Sequence, residues 1–138
     1  MDHFLTPVLA LILWTFVMWL WMYKRRIPAM RAITDNIQVF IEDPKLGEKI
    51  PAKARWAADN YNHLHEQPVI FYALMFYLFL TDNVDALNLY LAWGYVGIRV
   101  VHSLVQVTSN KVMIRFSLFA LGSVLLIVMG VRALLGLF

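Results

Sequence analysis

The sequence predicts an all-α fold, an integral membrane four-helix bundle. Three observations carry this: 61% of the 138 residues are hydrophobic and only 15% are charged, mean hydropathy is +0.63, and apolar stretches of membrane length recur between polar connections. Such a chain is too apolar for a soluble domain of its size and reads as one membrane domain covering residues 1–138. There is no cysteine, so disulfides, thiolate metal sites and cysteine nucleophiles are excluded.

A helix needs about 20 apolar residues to cross the hydrocarbon core. The first predicted span, residues 4–23, holds no charge and gathers Trp14, Trp19, Trp21 and Tyr23 toward its far end, as an interfacial belt does. The positive charges Lys24, Arg25 and Arg26 follow this run and do not precede it, so it reads as a retained span and not as a cleaved signal. The other spans are predicted at about 56–80, 87–107 and 114–135.

The connections orient the bundle. The first holds eight basic residues from Lys24 to Arg55, the third holds Lys111 and leads into Arg115, and the second holds Asp82 and Asp85 without a basic residue. By the positive-inside rule the first and third face the cytoplasm and both termini face away from it. Arg132 departs from the rule and is expected to snorkel to the outer interface. The formal charge of +3 is accounted for by this arrangement, and no nucleic-acid partner is expected. The first connection carries Pro28, Pro44, Pro51 and Gly47 and should break into short pieces, with residues 32–41 forming a short amphipathic helix on the membrane surface.

Ionisable residues inside the apolar spans mark the candidate site, because a charge in hydrocarbon costs roughly 2.5 kcal/mol or more and is normally paired in a protected interior. In the second span Arg55, Asp59, Asn62 and Glu66 are spaced 4, 3 and 4 apart and form one helical stripe, with His63 and His65 on its flanks. Pro68 should kink this helix near Leu64. In the third span Tyr95, Arg99, His102 and Gln106 repeat the same spacing. A hairpin centred near Val84 or Asp85 would set Glu66 opposite Ser103, close to Arg99 and His102.

Two readings of these stripes stand side by side: Glu66 and Arg99 form a buried ion pair that only pins the hairpin, or the stripes line a polar cavity whose arginines attract an anionic ligand. Arg55 and Asp59 could equally form a simple surface pair. His63, Glu66 and His102 would suit a metal by residue type, but the spans supply too few inward carboxylates, and no metal is expected.

These residues resemble the family of membrane-associated proteins in eicosanoid and glutathione metabolism, abbreviated MAPEG, over nearly the whole chain. Arg55, Asn62 and Pro68 fall in register with the family's second-helix motif; Arg99, His102 and Arg115 fall in register with the third-helix motif of its microsomal glutathione transferase branch. The departures are Ala58 at a second arginine position, His65 at a glutamate position with Glu66 one residue further on, and Gln106 in place of a tyrosine.

The resemblance implies a homotrimer in contact with membrane lipids, with cytoplasm-facing sites between subunits for glutathione as cosubstrate and a lipophilic electrophile. Arg99 and Arg115 would then hold the tripeptide's carboxylates, with Arg55 also in the glutathione site. Asn62 and Glu66 would fix its amide and amino groups. Arg25 or Arg26 would stabilise the thiolate as catalytic residues, and His65, Tyr95, His102 and Gln106 would line the cavity. The alternative is a noncatalytic member that binds lipid or serves as a subunit of a larger membrane complex.

Overall fold

The computed structural model describes residues 3–138 and contains six α-helices, with no strand among the described residues. Helix α1 (Thr6–Arg31) opens with Pro7 in its first turn, where a missing N–H costs nothing. It runs well past the predicted span of 4–23, because Lys24, Arg25 and Arg26 are good helix formers and nothing before Pro28 interrupts them. At 26 residues it is about 39 Å long, so its basic end projects beyond a hydrocarbon core of about 30 Å.

The predicted amphipathic helix over 32–41 shrinks to the single turn of α2 (Val39–Glu42). Local side chains take the backbone instead: Asn36 N–H donates to Thr34 Oγ1 at 3.2 Å and Gln38 N–H to Asn36 Oδ1 at 3.2 Å. Such turns compete directly with helix formation. A 3-10 segment, Pro44–Lys49, follows, with the Asp43 carboxylate accepting from Lys45 N–H.

The second predicted span is broken, not kinked. Helix α3 (Ala52–His63) stops and α4 (Gln67–Leu80) starts afresh. Pro68 has no N–H to offer the carbonyl four residues back, and the chain between the helices tightens: His65 N–H reaches Asn62 O at 3.0 Å and Glu66 N–H reaches His63 O at 3.2 Å. Glu66 sits at φ −93°, ψ −100°, outside the helical region.

Helix α5 (Ala86–Val107) is capped by Asp85, whose Oδ1 accepts from Asn88 N–H at 2.7 Å, and α6 (Val112–Leu135) follows after a short turn. Between α4 and α5 the chain reverses through Asp82 at φ 59°, with Asn83 N–H closing back on Leu78 O at 2.9 Å, a helix-ending motif that a left-handed residue makes possible.

The core runs through the middle of the molecule. Leu11 of α1, Phe71, Met75 and Leu78 of α4, Ala92 and Tyr95 of α5, and Met129 of α6 are fully buried together. Phe71 stacks on Tyr95 with ring centroids 4.8 Å apart. Helices α5 and α6 approach closely at Gly122, where an added Cβ would lie 3.3 Å from the Tyr95 ring. Gly122→Leu should therefore overpack this contact and cost about 1–3 kcal/mol, read as a lowered thermal midpoint in detergent.

The outward faces carry Leu13, Phe16 and Leu20 on α1 and Ile127, Val131 and Leu134 on α6. Two helices, α1 and α6, are by themselves long and apolar enough to cross a membrane. The break after His63 leaves α4 only 14 residues, and α5 turns Asn88, Arg99, His102 and Gln106 inward.

Candidate functional site

At one end of the molecule α1, α3 and the start of α6 enclose a polar cavity of about 570 Å³. Arg26, Arg55, Asp59, Asn62, Asn110 and Arg115 line it. Each arrives by a separate local cause. The extension of α1 delivers Arg26, the charged stripe of α3 delivers Arg55, Asp59 and Asn62 at helical spacing, and the first turn of α6 delivers Arg115. Three guanidiniums and one carboxylate thus face a shared space.

A second cleft of about 250 Å³, walled by His63, His102, Phe116 and Phe119, adjoins Arg115 as well. His63 Nδ1 receives a hydrogen bond from Arg99 Nη2 at 2.9 Å. A guanidinium only donates, so Nδ1 holds the lone pair, and the proton of a neutral ring sits on Nε2, which faces Glu66 Oε2 at 4.0 Å. The His63 ring also stacks on His102, with centroids 4.8 Å apart and planes within 14°.

Behind these histidines lies a buried polar seam. Arg99 is 1% exposed and Ser103 is fully buried, with His102 and Gln106 nearly so. Arg99 Nε and Nη1, His102 Nδ1, Ser103 Oγ and Gln106 Oε1 have no protein partner. Further along, Tyr95 donates to Gln67 Oε1 at 3.2 Å and Gln67 Nε2 donates to Ser123 Oγ at 2.7 Å, tying α5, α4 and α6 together.

The structure thus sorts the residues singled out from the sequence. Arg26, Arg55, Asn62 and Arg115 come together in the cavity. Arg25 does not: its guanidinium lies over the Trp21 ring at 4.6 Å. Arg99 is sealed in the seam, and Glu66 is neither deep nor paired with it, since its side chain is 66% exposed and approaches His63. The break before Pro68 takes Glu66 out of the helical stripe, so His63 meets Arg99 and Gln67 meets Tyr95, in place of Glu66 opposite Ser103.

None of the four residues expected to line the cavity does so. Tyr95 and Gln106 are buried, and His102 walls the second cleft. His65 faces an apolar groove beside α1, its Nδ1–H donating to Tyr61 O at 2.9 Å.

Asn60 was not among the candidates. It is fully buried and both amide atoms lack a protein partner. The signal was available, because Ala57, Asn60 and Leu64 follow the inward periodicity of α3, opposite the charged stripe. Gln67 and Ser123 carried no such mark.

Arg132 pairs with the second connection. At the far end of the molecule its Nη2 donates to Asp85 Oδ2 at 2.7 Å and its Nε to Asn88 Oδ1 at 3.1 Å. Among the described residues no three His, Asp or Glu side chains converge in a manner that could hold a metal ion.

Membrane-length helices, an inward polar seam and a basic cavity at one end define an α-helical membrane protein with a polar cavity. The MAPEG family model matches residues 4–135, and the chain belongs to the MAPEG family. No curated protein and no solved structure matches it.

Proposed function

We propose that this MAPEG protein is a membrane-bound glutathione-dependent transferase or peroxidase acting on lipophilic electrophiles, with glutathione in the cavity of Arg26, Arg55, Asn62 and Arg115. The observation that carries the reading is the convergence of three guanidiniums and the Asp59 carboxylate on one space of about 570 Å³, a volume suited to a small-molecule ligand. Glutathione offers two carboxylates, one ammonium and two amides. Arg55 and Arg115 complement the carboxylates, Asp59 the ammonium and Asn62 an amide.

Arg26 is assigned to the thiol, whose proton is lost more readily beside a cation. In the transferase reaction the thiolate sulfur bonds to the electrophilic carbon, and the displaced group departs with the electron pair of its broken bond. Arg99 has no part in the cavity under this assignment. Four membrane passes, cytoplasmic first and third connections, and a homotrimer complete the proposal; they rest on the charge asymmetry and on family membership.

A second reading is a noncatalytic lipid-binding or accessory member of a larger complex. It is favoured by the buried Gln106, which supplies no phenol, and by the exposure of Glu66. Thermal denaturation of the purified protein separates the two. Glutathione at 100 times its dissociation constant should add about 2.7 kcal/mol of stability. Arg115→Ala should remove that gain and also the conjugation of an activated aryl halide. A shift without conjugation favours the noncatalytic reading, and the absence of any shift at millimolar glutathione rules out the glutathione assignment.

A further inference from the structure

In the turn between α5 and α6 the backbone and the side chain of Asn110 answer to different causes. Asn110 sits at φ 50°, in the left-handed region, and its N–H closes the turn on Val105 O at 2.7 Å. Asparagine is one of the few residues that adopt this conformation readily, yet glycine does so with less strain. The turn accounts for the backbone and leaves the amide without a structural task.

Asn110 lines the polar cavity together with Asp59 and Arg115. Its Oδ1 is buried and accepts from no protein donor, a costly state of which native proteins keep few examples. No side-chain hydrogen bond among the described residues holds the amide, so it is free to turn its oxygen to a ligand. The cavity is short of such acceptors. Arg26, Arg55 and Arg115 offer only donors, and side-chain oxygens come from Asp59, Asn62 and Asn110 alone. Arg115, in the first turn of α6, stands outside the ion pairs of the described residues, which join His63 to Glu66 and Arg132 to Asp85, and its Nε has no protein acceptor. One wall thus brings together a guanidinium that needs an anion and an oxygen that needs an N–H.

We infer that Asn110 is a specificity-determining residue of this cavity: its Oδ1 joins the Asp59 carboxylate in holding the ammonium of an α-amino acid head whose carboxylate lies on Arg115. An ammonium carries several N–H donors, more than one carboxylate satisfies, and a second acceptor completes its shell. The inference rests on the glutathione reading and deepens it, since it assigns the γ-glutamyl end of the tripeptide to the side of the cavity formed by the α5–α6 turn. A ligand with the same acids but no amine would meet the same arginines and gain nothing from Asn110.

Calorimetric titration of the detergent-purified protein with glutathione and with glutaryl-cysteinyl-glycine, in which hydrogen replaces the ammonium, tests it on the wild type and on Asn110→Gly. Glycine adopts φ 50° freely, so the thermal midpoint without ligand should be unchanged. Glutathione should bind the variant about tenfold more weakly than the wild type, the loss of one hydrogen bond to a charged group. Glutaryl-cysteinyl-glycine should bind both proteins equally. Undiminished glutathione binding in Asn110→Gly overturns the inference and leaves the glutathione reading intact. An equal loss for both ligands shows that Asn110 serves another group and overturns the ammonium assignment. A fall in the midpoint without ligand shows that the amide belongs to the turn, which also overturns it. A wild type that binds no glutathione overturns the underlying reading and this inference with it.

Discussion

Phe71→Ala is expected to destabilise the protein by about 3–5 kcal/mol, the largest loss of any single substitution considered. Phe71 has no exposed surface, stacks on Tyr95 and sits among Leu11, Met75 and Leu78 at the junction of α1, α4 and α5. Its truncation removes apolar contact and leaves a cavity that rigid helices cannot close. Tyr95, deprived of the stack, would also hold Gln67 and Ser123 less firmly, so the loss should spread from core packing into the polar network. Denaturation of the detergent-purified variant against wild type measures this. A loss under 1 kcal/mol would mean that the α4–α5 junction is not the packing centre.

Substitutions at the two ends of the His63–Arg99 hydrogen bond should give opposite results. His63→Ala removes the one protein partner of a guanidinium that is 1% exposed, and should cost about 1.5–3 kcal/mol, in the range for hydrogen bonds to charged groups. Arg99→Met removes the buried charge itself together with two unpartnered nitrogens, and should leave stability unchanged or raise it. Methionine adapts to the space that the arginine stem occupied. Equal and large losses in both variants would show that Arg99 is fully satisfied in the folded state. If Arg99→Met is stable yet impaired in ligand binding, the arginine is kept for function at the expense of stability.

Much of the fold was legible because its signals are local. Apolar runs of membrane length, separated by Asp82 and Asp85 or by basic loops, mark α1, α5 and α6 with ends close to those observed, apart from the long extension of α1. Pro68 announced a disruption near Leu64, but whether a proline kinks or breaks a helix depends on what compensates the lost hydrogen bond. Here the chain tightens over Asn62–Glu66 and starts again. The cavity was half legible: Arg55 and Asn62 share a helical face, whereas Arg26 and Arg115 join them only through packing.

Glu66 shows where such reading stops. Helical spacing places it on the Arg55, Asp59 and Asn62 stripe and at the depth of Arg99, yet the turn before Pro68 rotates it out to exposure and leaves His63 as the neighbour of Arg99. Arg132 and its partner Asp85 are 47 residues apart along the chain, so local spacing does not reveal their pairing.

Amino-acid order alone determined that this chain is an all-α membrane protein of the MAPEG type, with basic residues gathered in its first connection and ionisable residues on inward helical faces. Composition and period 3.6 act over a few turns and need no knowledge of neighbours. Only the tertiary structure decided that Arg26 and not Arg25 meets Arg55 and Arg115, that Arg99 is sealed beside His63, and that Glu66 is expelled. Those outcomes depend on how broken and extended helices pack against one another, and a shift of one residue turns a helical side chain by about 100°.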